Sequence, residues 1–306
     1  MAPEVTVMVP LYGAFDIERV KFSVDSIKTQ KRVEVEISVV EQSDHPRLLR
    51  LEGITYTHIK PVLSSEGFLV PGRVRNLAAR NSKGHFLYNN DGDIVFKDTH
   101  YLTNLIKKME EAEDICLYHP LMRRLPLENF KDFKERFDKG GIQRAVNDLD
   151  LSQPYGATYS DNFVMIRHFK KNINGELEIS VATQKDHEEY HNGNNKGKEP
   201  FYYTLNVHAG CTLMRRDQFE AVGGFCEDFA GWGGHDVDLQ YKLKRLFNLK
   251  KIWQISNLEV LHLDHVREYF SRNQWNKNKN LLLKRQNLPL NEVVEGDRVK
   301  YHERRT

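Results

Sequence analysis

The alternation of apolar and polar positions divides the chain into short strands and amphipathic helices. Val5–Tyr12 (VTVMVPLY) is a continuous β-branched run, the pattern of a buried strand. From Phe15 to Thr29 the apolar positions Val20, Val24 and Ile27 recur at helical spacing. Val33–Gln42 starts by alternating and turns fully apolar, as a strand passing from edge to core would, and Ile54–Ile59 is a third strand. A helix is predicted over Arg73–Asn81, a fourth strand over His85–Phe96, a helix over Asp98–Ala112 and a strand over Asp114–Pro120. Strand–helix alternation of this kind predicts an α/β fold built on a mixed, mainly parallel central sheet flanked by helices. Ligands then collect at the carboxyl ends of strands, where Pro10, Glu41 and Asp91–Asp93 fall.

The middle of the chain reads differently. Leu125–Gln153 is charged with a helical pattern, Asp150–Tyr159 is a loop, and a hairpin is expected from Phe163 onward, its polar tip near His191–Lys198. Order resumes with a strand at His208–Met214, a helix at Asp217–Val222 and a further helix beginning near Leu239. Leu258–Leu263 is a late strand, and Arg267–Asn287 is helical up to Pro289. One domain over 1–266 followed by a polar tail over 267–306 is the expected organisation.

Charge changes this picture little. Lys plus Arg total 45 against 43 Asp plus Glu, a net charge of +2, so no nucleic-acid partner is indicated. No stretch nears the ~18 apolar residues that a membrane span needs. The start, MAPEVTVMVPLYG, has no basic n-region, and the cysteines Cys116, Cys211 and Cys226 are too few and scattered for a disulfide framework. A reducing, cytoplasmic setting is the expectation, with the weakly basic end RVKYHERRT a candidate for slight contact with the inner face of a membrane.

Four segments carry chemistry. Asp91-Gly92-Asp93 sets two carboxylates close together at a strand end, an oxygen-rich site for Mn²⁺ or Mg²⁺, although such a motif also occurs in turns and caps. His262 and His265 offer imidazoles for the same ion or, each alone, an ordinary core or solvated histidine. Arg73 and Arg75 in PGRVRN suit phosphate oxygens, or simply open a helix. FAGWGGHDVDL (Phe229–Leu239) reads as a glycine-rich loop opening a helix, with Asp236 and Asp238 in or near the first turn, where the helix dipole favours acids.

Taken together these segments resemble the GT-A fold glycosyltransferases, in particular the β-1,4-galactosyltransferase type with its GWGGED core and the family 2 enzymes. The resemblance rests on Cys211–Leu243, on RVRNLAARNSKGHFLYNNDGD (Arg73–Asp93) and on VTVMVPLYG with ISVVEQSD. It implies a single Rossmann-like domain: 1–115 binding the nucleotide sugar, 116–205 a variable insertion, 206–266 the acceptor and catalytic half. It implies Asp91, Asp93 and one of His262 or His265 around Mn²⁺ or Mg²⁺. Pro10, Tyr12 and Glu41 would meet uracil, Arg73 and Arg75 the ribose and phosphates. Trp232 would pack on the sugars, Gly233 and Gly234 would allow close approach to the donor, and Asp236 would take the proton from the acceptor hydroxyl. His235 stands where the family has Glu, a contact that would become pH-sensitive and whose acceptor preference does not carry over. The implied activity is metal-dependent, inverting transfer of a hexose or N-acetylhexosamine from UDP-Gal, UDP-GalNAc or UDP-GlcNAc to a glycan or glycolipid hydroxyl, in surface polysaccharide synthesis. The alternative on the same fold is a degenerate protein that binds glycan or nucleotide without chemistry. A phosphohydrolase or nucleotidyltransferase built on the carboxylate pair alone would have no use for GWGGHDVD.

Overall fold

The computed structural model describes residues 3–13, 15–48, 51–111, 118–125, 127–147, 157–158, 164–171, 177–182, 205–207, 210–249, 254–265 and 270–303. The expected loop at Asp150–Tyr159 falls mostly outside these residues, as do Cys116 and the polar segment His191–Lys198.

A nine-stranded mixed sheet forms the centre, in the order β3-β2-β1-β4-β11-β6-β12-β5, with β10 paired to β6. Its parallel half is β1 (Val5–Tyr12), β2 (Val35–Gln42), β3 (Thr55–Ile59) and β4 (Phe86–Asn89). The chain steps outward from β1 to β3, then returns to place β4 on the other side of β1. Such a reversal opens a crevice at the carboxyl ends of the two central strands. The other half holds β5 (Ile94–Phe96), β6 (Tyr118–Leu125), β10 (Leu205–Val207), β11 (Thr212–Arg215) and β12 (Gln254–Leu263), in which β6–β12 is parallel and the other pairings are antiparallel. A separate three-stranded sheet is formed by β7 (Ala157–Thr158), β8 (Val164–Lys171) and β9 (Leu177–Ala182). Lys171 opposes Leu177, so this hairpin turns well before His191–Lys198, the tip expected from polarity alone.

Side-chain alternation along β1 sends Val5, Val7, Val9 and Leu11 to one face and Met8 to the other. The first face packs on α1 (Ile17–Lys28) and α3 (Tyr101–Glu110) through Val20, Val24, Ile27, Leu102 and Leu105. Asp16 caps α1 by accepting from the Glu18 N–H at 2.9 Å. The second face meets α2 (Pro71–Arg80), α5 (Arg216–Ala221), α6 (His235–Leu246) and α8 (Leu290–Glu303) through Val74, Phe219, Leu239 and Tyr301. The remaining helices are α4 (Phe130–Asn147), which changes direction at Gly140 and Gly141, and α7 (Arg272–Gln286).

Two expectations change. The run His85–Phe96 is not one strand: β4 ends at Asn89, a turn follows, and β5 pairs with β12 at the far edge of the sheet. Asp91 and Asp93 therefore sit in the turn that joins the two halves, where Ile94 N–H donates to Asp91 O at 3.1 Å. The expected polar tail forms α7 and α8, with Val293, Val294 and Tyr301 buried. Two of the cations in RVKYHERRT pair within the protein, Arg298 donating to Ala221 O and Lys300 to both oxygens of Asp228, while Arg304 and Arg305 lie outside the described residues. Cys211 and Cys226 are buried free thiols. Among the described residues no helix is long and apolar enough to cross a membrane.

Candidate active site

The carboxylate turn is built by close packing. A Cβ on Gly92 would lie 3.1 Å from Val20 Cγ2 and 3.3 Å from Pro10 O, so glycine lets the turn press closely onto β1 and α1. Asn90 anchors the turn, its N–H on Met8 O at 3.0 Å and its amide on Ser23 Oγ at 3.0 Å. On the outer side Leu263 N–H donates to Asp93 O at 2.8 Å, and His262 pairs with Ile94 in the ladder. That register delivers the histidines. Asp93 Oδ2 lies 3.1 Å from His262 Nε2 and 2.9 Å from His265 Nε2. Both imidazoles therefore reach Asp93, where the sequence left a choice between them. Burial alone would raise the Asp93 pKa, but the two histidines hold it well below the usual carboxylate range. Its other oxygen, Oδ1, is buried without a hydrogen-bond partner.

Arg75 joins this turn to the glycine loop. From α2 its guanidinium, almost wholly buried, donates to Asn89 Oδ1 at 2.9 Å, to Asp91 Oδ1 at 2.8 Å and to His235 Nε2 at 3.0 Å. Because arginine has no lone pair to offer, His235 Nε2 is the unprotonated nitrogen. Asp236 Oδ2 lies 3.2 Å from that same nitrogen, inside the field of the guanidinium. The Tyr12 hydroxyl, buried without a partner, belongs to the same group: burial and the charges of Asp91 and Asp236 push its pKa up to about 12 despite Arg75. Tyr12, Arg75, Asp91, His235 and Asp236 thus converge at the β1/β4 crevice.

His235 is not the titrating contact expected from the sequence. It is 5% exposed, and burial followed by the charge of Arg75 lowers its pKa from 6.5 to about 3. The pH-sensitive contact expected from the sequence is replaced by a ring that stays neutral throughout the ordinary range. The folded value lies below the unfolded one, so between 6.5 and about 3 only the unfolded chain takes up this proton, and stability is lost as pH falls. Replacing His235 with Asn is expected to remove that loss. The stability difference between wild type and variant should shift by about 1.4 kcal/mol per pH unit below 6.5 in denaturation experiments from pH 7 to 5. Parallel stability curves would show that His235 is not held neutral.

The glycine loop is shaped by its neighbours. Gly231, Gly233 and Gly234 all have positive φ, at 64°, 92° and 90°. A Cβ on Gly234 would come within 2.7 Å of Phe229 Cε1, and one on Gly233 within 2.9 Å of Trp275 Cδ1. The close approach expected toward a donor is, at these two residues, an approach to Phe229 and Trp275. Asn278 on α7 holds the loop, its amide donating to Ala230 O at 2.8 Å, Gly233 O at 3.0 Å and Trp232 O at 3.1 Å. Trp232 meets Phe270 edge-on, ring centroids 5.5 Å apart.

Three sequence candidates serve the frame. Glu41 is fully buried and accepts from Ser43 and Tyr56 hydroxyls, Arg47 N–H and Arg47 Nε at 2.5–3.0 Å, which occupies its lone pairs and lowers its pKa despite burial. It also orients Arg47, whose Nη2 donates to Tyr12 O at 2.6 Å. Arg73 faces Glu227 at 3.6 Å. Asp238, the second acid of HDVD, is bound by Arg285 at 2.7 and 3.0 Å inside a buried cluster with Lys242 and Asp297.

Residues 189–262 match the family described as the N-terminal domain of galactosyltransferase. Validoxylamine A glucosyltransferase of Streptomyces hygroscopicus subsp. jinggangensis (strain 5008) is 51% identical over 43 residues, 14% of this chain and 9% of that protein. The match therefore spans about a tenth of the curated relative. Among solved structures, GalNAc-T7 crystallised with UDP, GalNAc and Mn²⁺ superposes with a TM-score of 0.54 at 13% identity, covering 99% of this chain and 54% of that one. S. aureus TarS 1-349 in complex with UDP-GlcNAc gives 0.49 at 12% identity, covering 97% and 71%. The fold is that of the GT-A glycosyltransferases.

Proposed function

We propose that this chain, with a GT-A fold and a galactosyltransferase-type segment, is a metal-dependent inverting glycosyltransferase. It moves a hexose or N-acetylhexosamine from a UDP-sugar to a glycan hydroxyl. The observation that carries this reading is the Arg75 bridge, by which one buried guanidinium holds Asp91 of the carboxylate turn and His235 beside Asp236. Metal turn and glycine loop, far apart in sequence, thereby face one crevice.

The donor set fits a divalent ion. One oxygen of Asp93 and the Nε2 atoms of His262 and His265 lie within 4.8 Å of one another, and Asp93 Oδ1 has no protein partner. Mixed nitrogen and oxygen donors favour Mn²⁺ over Mg²⁺, which prefers oxygen alone. GalNAc-T7, with its UDP and Mn²⁺, supports the same choice. When bound, such an ion neutralises charge on the departing diphosphate.

The residues of the chain divide the remaining work. Asp236 accepts the proton of the acceptor hydroxyl as its oxygen attacks the anomeric carbon, on the face opposite the breaking bond to UDP. That direction of attack inverts the centre and gives a β-linkage from an α-linked donor. Trp232 offers an apolar face to the C–H side of a pyranose. Tyr12, kept protonated, has a hydroxyl to donate to the donor. Arg75, with its charge already balanced by Asp91, positions His235 and Asp236.

UDP release from UDP-Gal, UDP-GalNAc and UDP-GlcNAc, measured with and without Mn²⁺, tests the reading. Asp93→Asn is expected to weaken Mn²⁺-dependent UDP binding by at least about 10-fold in calorimetry. Wild-type UDP affinity in that variant, or no turnover of any UDP-sugar, would refute it.

A further inference from the structure

Trp275 lies against the loop that leads to Asp236. Its Cδ1 is 2.9 Å and its Nε1 3.2 Å from where a Cβ on Gly233 would stand, so the indole occupies the side-chain space of that glycine. Covering a glycine needs only an aliphatic side chain, and this indole remains 40% exposed. Among the described residues its N–H has no hydrogen-bond acceptor. The helix that carries it is anchored on the adjoining face, where Gln274, Asn278 and Arg285 are buried. Ser271 caps the helix just before it, accepting from Gln274 N–H at 3.3 Å. On the solvent side, Lys279 is exposed one turn further along the same helical face as Trp275. Gly233 directly follows Trp232 and comes three residues before Asp236, so the Trp275 indole lies against the backbone next to Trp232.

We propose that Trp275 forms a second sugar-stacking position beside Trp232, and that the acceptor is a glycan of at least two sugars rather than a single one. The inference rests on reading the Asp236 loop as the acceptor site. A pyranose presents a C–H face that packs on an indole, while the rim hydroxyls need hydrogen-bond partners. The Trp275 N–H and the Lys279 ammonium supply donors for that rim. The sugar carrying the reactive hydroxyl rests at Trp232, and its neighbour in the chain rests at Trp275.

The test is a length series of defined glycans titrated into the full chain in the presence of UDP and Mn²⁺. Methyl β-glucoside, cellobiose and cellotriose form one series; methyl β-N-acetylglucosaminide, chitobiose and chitotriose the other. Affinity is expected to rise at least 10-fold from one sugar to two in the preferred series. Trp275→Ala should abolish that step, Trp275→Phe should keep most of it, and Trp232→Ala should weaken every member. Thermal denaturation of each variant separates loss of the platform from loss of the fold. A step that survives in Trp275→Ala overturns the proposal, as does a wild type that binds no member or binds all lengths equally. Length-dependent binding without Mn²⁺-dependent UDP release would instead refute the transferase reading and leave this one standing.

Discussion

Asp236→Asn is expected to lower sugar transfer about 10²- to 10⁴-fold, the usual contribution of a positioned general base. UDP-sugar affinity should stay near wild type, because the metal turn and the crevice strands are untouched. The side chain keeps 20% of its surface in contact with solvent, so the acceptor hydroxyl has a route to it. Asparagine preserves shape and removes only the ability to take a proton, which makes the loss specific to the chemical step. Single-turnover measurements with Mn²⁺ and the preferred UDP-sugar read it directly. A variant that turns over within a few-fold of wild type would assign the proton to another group.

The second large effect lies away from the chemistry. Arg285→Ala is expected to destabilise the protein by about 3–5 kcal/mol, since it leaves two buried acids, Asp238 and Asp297, to the single cation Lys242, which is 4.0 Å from Asp238. Arg285 donates to Asp238 at 2.7 and 3.0 Å and to Asp297 at 2.6 Å, and Lys242 holds Asp297 at 2.6 Å from the other side. A melting temperature lower by roughly 6–15 °C should follow. The exposed pair Lys277–Glu66 is the control, and Lys277→Ala should cost less than about 1 kcal/mol. If Arg285→Ala melts with the control, the cluster does not fasten α7 and α8 to the catalytic helix α6.

The parallel half was readable because β1 and β2 are continuous apolar runs and α1 shows Val20, Val24 and Ile27 at helical spacing. The split of His85–Phe96 was harder to read. Apolar residues flank NNDGD on both sides, so the pattern reads as one strand with a polar end, whereas the cluster is a turn between two strands. Pro289 misled in a similar way. It stops α7, yet its carbonyl also accepts the N–H groups of Glu292 and Val293 and so starts α8. The acids of HDVD are alike in sequence; only packing shows that Asp236 faces the crevice while Asp238 is spent on Arg285. The partners of Glu41 were not legible, because Arg47 and Tyr56 are recruited to it from outside the motif. Asn278, Trp275 and Arg285 lie in a polar segment with no motif at all. Their importance arises from contacts made across more than forty positions of chain.

The amide of Asn278 has two hydrogens to give and three carbonyls within reach. One proton must be divided, so the strand of backbone from Ala230 to Gly233 is tethered by a contact that is slightly undersupplied. Tilting a single peptide plane there only reallocates that proton, whereas lifting the entire segment forfeits every tether together. The tryptophan carried by this backbone, its ring edge-on to Phe270, is accordingly hard to dislodge from the face it presents.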